Sequence, residues 1–153
     1  MDIDVFPADE ISDVFRALRT ALNPAAPLQP AERKFLETYS VITGHPLQAG
    51  DPDLISPQEV RVEGAKARKR LIQLTAMAAL LNHPLRPGSV RFVKELATAI
   101  GASDPVIPVL EAVLAGHPLR ARFLSMRRWA RVFLKEAYES EGIAGIARFF
   151  AAS

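Results

Sequence analysis

The chain has 153 residues, enough for one domain with its own hydrophobic core. Apolar residues make up 49 % and charged residues 24 %, which excludes a disordered chain; nineteen Lys and Arg against seventeen Asp and Glu leave a formal net charge of +2. Cysteine is absent, which excludes disulfides and thiolate metal sites and makes a reducing cytoplasm the expected location.

The small net charge hides a polarity. Asp2, Asp4, Asp9, Glu10 and Asp13 all precede the first basic residue, Arg16, whereas Arg120, Arg122, Arg127, Arg128, Arg131, Lys135 and Arg148 dominate the other end. The acidic start lacks the basic and apolar regions of a secretory signal. The longest nearly apolar run, 71–81, contains Gln73 and Thr75 and falls short of the ~20 residues a bilayer span needs, so the chain reads as soluble.

Strand signals are sparse: no long period-two alternation and no Asn-Gly or Asp-Gly hairpin turn occurs. A first helix follows Pro7, with Ile11, Val14, Phe15, Leu18 and Leu22 on one face, and Asn23-Pro24 stops it. A second starts at Pro30, turns Phe35, Tyr39 and Ile42 inward, and ends at Gly44. After a polar loop of about a dozen residues, the capping box Ser56-Pro57-Gln58-Glu59 predicts a third helix running to Leu81. That helix would be roughly 37 Å long, charged and solvated in its first half (Arg61, Glu63, Lys66, Arg68, Lys69, Arg70) and a core helix in its second.

A fourth helix over 87–100 buries Val90, Phe92, Val93, Leu96 and Ile100, and Gly101 closes it. Ser103-Asp104-Pro105 caps a fifth, with Ile107, Leu110, Val113 and Leu114 expected inside, and Gly116 closes it. A sixth over 119–140 carries Phe123, Met126, Ala130, Phe133 and Leu134, and a short seventh covers 143–152.

Two stretches align without a gap. Pro27-Leu28-Gln29-Pro30 lies over Pro84-Leu85-Arg86-Pro87, Phe35 over Phe92, Leu36 over Val93, Tyr39 over Leu96 and Gly44 over Gly101. The expectation is a single all-α domain over 1–153: a bundle of six to seven helices built on a duplicated helix-loop-helix unit (11–44 and 68–101), with the helices of 104–152 packed on it. Phe35 and Phe92 would be paired anchors of the two units.

Candidate chemistry is thin. The three histidines all occur as His-Pro-Leu, at His45, His83 and His117, each at or near a helix end, where the helix dipole favours imidazole and proline enforces the stop. Helix punctuation therefore explains them better than a zinc site, and no metal, cofactor or catalytic residue is expected. Nucleophile elbows, Glu-x-x-His pairs and phosphate-binding glycine loops are missing.

On the sixth helix Arg120, Arg127, Arg131 and Lys135 recur at spacings of seven, four and four, with Arg128 and Trp129 beside them. This ridge reads either as a solvated face or as a contact for a protein partner, a second copy or an anionic surface. Nucleic acid fits poorly, because few aromatics stand free to stack. An alternative is a pocket for a small apolar ligand between Phe35, Tyr39, Phe92 and Phe133. The weakly amphipathic 143–152, with Arg148 its single charge, offers a peripheral membrane contact.

Residues 78–101, an alanine-rich helix, a connection and a second helix ending at glycine, resemble the repeat unit of the tellurite-resistance TerB family, and 21–44 resembles it more weakly. The resemblance implies a helical fold. In the family, acids in the connection are implicated in divalent-metal binding. Here the aspartate position holds Asn82 in one unit and Ala25 or Ala26 in the other, and only Glu32 matches, so metal binding is not implied. The stretch 101–150 is also similar to longer bacterial proteins in which a TerB-like region precedes a ubiquinone-biosynthesis-type domain. The histidine-rich metal motif of that domain has no counterpart here.

Overall fold

The computed structural model describes residues 5–47, 50–82 and 84–117. Among them are five α-helices and no strand: α1 (Ile11–Leu22), α2 (Pro30–Thr43), α3 (Ala65–Leu80), α4 (Pro87–Ala99) and α5 (Val106–Leu114). The expected helices over 119–140 and 143–152 lie outside the described residues.

Helices α1, α3 and α4 pack against one another and hold most of the core; α2 leans on α1, and α5 on α3 and α4. Helix α1 buries Val14, Phe15, Ala17, Leu18, Ala21 and Leu22, more than one stripe, because it has neighbours on three sides. It stops where Asn23 turns extended before Pro24. The Asn23 side chain then shapes the following loop, accepting from the amides of Ala25 and Ala26 and donating to the Pro27 carbonyl. Arg19, also buried, donates its guanidinium to the carbonyls of Asn23 and Ala26, a cation where the dipole of α1 is negative.

Helix α2 starts on Pro30 with a reciprocal capping box between Gln29 and Glu32, and ends on Gly44 at φ 72°, a left-handed turn that side chains resist. Its buried face differs from expectation. Glu32, Leu36 and Tyr39 point in, Phe35 is only partly buried, and Ile42 is 60 % exposed. With α1 as its main neighbour, α2 buries a narrow stripe, and a residue one position off that stripe faces water.

The third helix is also corrected. The Ser56–Glu59 box is present, but it closes one 3₁₀ turn, Pro57–Glu59. Residues 60–63 are not helical, with Val60 and Val62 buried and Arg61 and Glu63 exposed. Alternation puts both valines on one side of an extended chain, whereas helical spacing would turn them far apart. Gly64, at φ 82°, then redirects the backbone before α3. The apolar half of α3 behaves as expected, burying Leu71, Ile72, Leu74, Thr75, Ala76, Ala78 and Ala79, although Met77, Leu80 and Leu81 reach the surface.

Helices α4 and α5 end alike. Ala102 donates to the Ala97 carbonyl and Gly101 to Thr98; His117 donates to Ala112 and Gly116 to Val113. Both glycines have positive φ, and both ends are Schellman motifs. No described helix is long and apolar enough to cross a membrane.

Candidate functional site

The polar face of α1 holds the segment between Leu54 and Glu63 against the bundle. Arg16 donates to the Leu54 carbonyl (3.2 Å) and the Thr20 hydroxyl accepts from the Ile55 amide (3.1 Å). One turn earlier, an Asp13 carboxylate oxygen accepts from the Arg61 amide at 3.0 Å, and Glu10 Oε1 accepts from the Glu63 amide at 2.7 Å. Carboxylates one helical turn apart thus take alternate backbone amides of an extended chain, as a neighbouring strand would. The segment runs antiparallel to α1, with its valines turned to the core.

Between this segment, residues 5–10 and the start of α3 lies an open groove of about 1200 Å³. Five carboxylates line it, Asp9, Glu10, Asp13, Glu59 and Glu63, together with three cations, Arg16, Arg61 and Lys66. Glu59 is engaged by both the amide (3.0 Å) and the hydroxyl (2.8 Å) of Ser56. The backbone hydrogen bond, then the hydroxyl, and to a smaller extent the charge of Arg16 hold its carboxyl below its ordinary pKa. Asp13 is shared between the Arg61 amide and Arg16, 3.5 Å away. Glu10 is different: only 7 % exposed, it has one oxygen on the Glu63 amide, while Oε2 is buried and without a hydrogen-bond partner.

A second polar cluster ties four helix ends together. The Leu22 carbonyl, at the end of α1, accepts from Asn82 Nδ2 (2.7 Å) and from Arg86 (2.8 Å). Arg86 also pairs with Glu32 at 2.7 Å, and the other Glu32 oxygen accepts from the Gln29 amide at 2.7 Å. Glu32 is 3 % exposed and both its oxygens are occupied, one joining α2 to Arg86 at the start of α4 and the other closing the cap of α2 itself. At the other end of the bundle, buried Asp104 accepts from the Val106 amide and from Gln73, which in turn accepts from Arg70. These acids organise helix ends. Among the described residues no group of three or more His, Asp or Glu is placed to hold a metal ion.

The candidates from the sequence separate. Arg120, Arg127, Arg128, Trp129, Arg131, Lys135 and Phe133 lie outside the described residues, as does His83. Of the other aromatics, Tyr39 packs edge-on against Phe15 (centroids 5.6 Å apart, planes at 78°), Phe92 is buried in the core and Phe35 sits at its margin. The charged run 61–70 is divided: Arg61 is in the extended segment, Arg68 Nε donates to the Val62 carbonyl (3.0 Å) and Arg70 to Gln73. Sequence reasoning missed the acidic groove. Its signal was the acids Asp9, Glu10 and Asp13 ahead of Arg16, together with the short alternation Val60-Arg61-Val62-Glu63 hidden behind a strong capping box.

No protein-family model matches the chain, and no curated protein or solved structure matches it either.

Proposed function

We propose that the chain is a non-catalytic helical interaction module that binds a protein partner or another copy of itself. The observation that carries this reading is the apolar surface left uncovered at helix ends. Val41 is 82 % exposed, and Met77, Leu80 and Leu81 on the last turn of α3 and Val113 and Leu114 on the last turn of α5 are all exposed. The two α5 residues stand immediately before the basic stretch that carries Arg120, Arg127, Arg128, Trp129, Arg131 and Lys135. Uncovered apolar side chains, and arginine and tryptophan, are what binding surfaces concentrate. Buried Glu32 and Asp104 are occupied in structural bonds, which also favours binding over catalysis.

A duplicated, TerB-like architecture belongs to the same proposal. Positions aligned in the two units share burial: Val14 with Leu71, Phe15 with Ile72, Ala17 with Leu74, Leu36 with Val93, and Tyr39 with Leu96. Both second helices begin on proline, and a positive-φ glycine follows each. A cytoplasmic setting fits the cysteine-free composition.

Pull-down and self-association assays comparing Arg127→Ala/Arg131→Ala with Lys69→Ala/Arg91→Ala test the contact. The first pair is expected to lose binding and the second to keep it. Equal loss in both, or no binding by the wild type, overturns the proposal.

A further inference from the structure

We propose that the groove between the last turns of α3 and α5 is a docking site for an amphipathic helix, held in the resting chain by this chain's own residues 119–134. This rests on the module reading above and gives its apolar surface a competitor within the same chain.

Two helix ends meet there. Asn82 and Arg86 both donate to the Leu22 carbonyl, which puts the end of α3 beside the start of α4. Helix α5 runs back along α4, with Glu111 on Lys94 (2.5 Å) and Leu114 beside Pro87 and Val90. Helices α3 and α5 are therefore both antiparallel to α4, pack on each other and run the same way. Gln73 of α3 donates to Asp104 at the start of α5 (2.8 Å). From that shared level, Leu80 and Val113 lie roughly 11 and 14 Å further along their helices, so both reach the same end of the bundle.

Met77 and Leu80 follow Gln73 by four and seven residues and share its side of α3, the side toward α5. On α5, Glu111 and Leu114 face α4, and Val113, on the other side of buried Leu110, turns toward α3. Met77 is 47 % exposed, Leu80 42 % and Val113 37 %, so the expected burial of Val113 is not met. The α4 side of α5 carries Arg91, Lys94, Glu95 and Glu111, which suits water. The α3 side carries three apolar side chains, which suits a covering helix.

The turn and the tether name the occupant. At the end of α4 a left-handed glycine, Gly101, sends the chain round so that α5 packs back on α4. Gly116, at φ 70°, makes the same turn at the end of α5, and Pro118 follows it. Antiparallel helices are joined by about two to five residues, which Gly116, His117 and Pro118 can supply. Beyond them Leu119, Phe123, Met126, Ala130 and Phe133 recur at spacings of four, three, four and three. On a helix, Arg127, Arg131 and Lys135 fall about a third of a turn from that stripe, so it can enter the groove while they stay in water. So short a tether holds the segment at an effective concentration of about a millimolar, against which a second copy or an outside helix must compete.

A labelled peptide of residues 118–136, followed by fluorescence anisotropy, tests the groove and the competition together. The full chain carrying Phe123→Asp/Phe133→Asp, whose own segment cannot dock, should bind it at least about tenfold more tightly than the wild type does. Adding Met77→Asp/Leu80→Asp, at exposed positions, should abolish that binding. Because the chain has no cysteine, Leu80→Cys/Met126→Cys should oxidise to a disulfide within one chain, at a yield independent of protein concentration. Val41→Cys/Met126→Cys should stay reduced, since Val41 lies about 13 Å along α2 from the Glu32–Arg86 pair that marks this end. Equal peptide affinity for the two chains, binding that survives Met77→Asp/Leu80→Asp, a Leu80/Met126 pair that stays reduced, or disulfides that join separate chains refutes the docking. The cysteine pair decides the matter if Phe123→Asp/Phe133→Asp fails to fold. If the pull-downs above fail while peptide and disulfide behave as expected, the module reading falls and the docking stands; the opposite pattern removes the docking alone.

Discussion

Buried polar residues in this protein divide into those with partners and those without, and the two kinds should respond oppositely to mutation. Glu32 is almost fully enclosed, and Arg86 is its cationic partner. Arg86→Ala leaves a carboxylate buried without its counter-charge and also strips a donor from the Leu22 carbonyl. The expected loss is about 3–5 kcal/mol in urea unfolding, with Arg86→Lys recovering part of it. Ser89 stands at the aligned position of the second unit, fully buried, with its hydroxyl unpartnered. Ser89→Ala removes an unsatisfied oxygen and little volume, so the same titration should show unchanged stability or a gain of up to about 1 kcal/mol. Neither outcome can be read from the residue types, since glutamate and serine both count as surface residues until their neighbours are known.

At the scale of elements, close approach and capping decide. A Cβ on Gly88, in the first turn of α4, would lie 2.9 Å from Cγ of Pro24, in the turn that ends α1. In an isolated helix Gly→Ala gains about 1 kcal/mol. Here the proline ring or the helix must shift, so Gly88→Ala should destabilise by about 1–3 kcal/mol in chemical denaturation. The 3₁₀ turn at Pro57–Glu59 makes a pH-dependent contribution. The Glu59 pKa is lower folded than unfolded, so its stabilising bonds to Ser56 are fully present above the unfolded value and are lost as pH falls through the folded one. Glu59→Gln should therefore narrow the stability difference between pH 7 and pH 3, measured by thermal unfolding. An equal pH dependence in both proteins would contradict this.

For the whole molecule, the two aligned aromatics are not equivalent. Phe92 is buried where α4 meets the central helices, whereas Phe35 sits at the edge of the core on a helix with one main neighbour. Phe92→Ala should cost about 3–5 kcal/mol, and Phe35→Ala distinctly less, compared by urea midpoints at equal m-value. Equal losses would mean that α2 is as deeply embedded as α4. Among the described helices the asymmetry follows from α5, which packs on α4 and α3, while α2 has α1 as its main neighbour.

The sequence by itself determined where most helices begin and end. Pro30 and Pro87 open α2 and α4, Asn23-Pro24 ends α1, and Gly44, Gly101 and Gly116 follow the ends of α2, α4 and α5, because these constraints act on the backbone within a turn of the residue that imposes them. The central burial of α1, α3 and α4 was legible too, since their apolar side chains recur at helical spacing over several turns. Only the tertiary structure decided what the capping box at Ser56 opens. Its local bonds formed as expected, yet the chain beyond it extends, because Val60 and Val62 reach the core together only when alternate residues share a side, while Glu10 and Asp13 supply the acceptors their extended neighbours need. The same long-range contact draws Asp9, Glu10 and Asp13 beside Glu59 and Glu63, a groove made by pairing segments some fifty positions apart that no local pattern encodes.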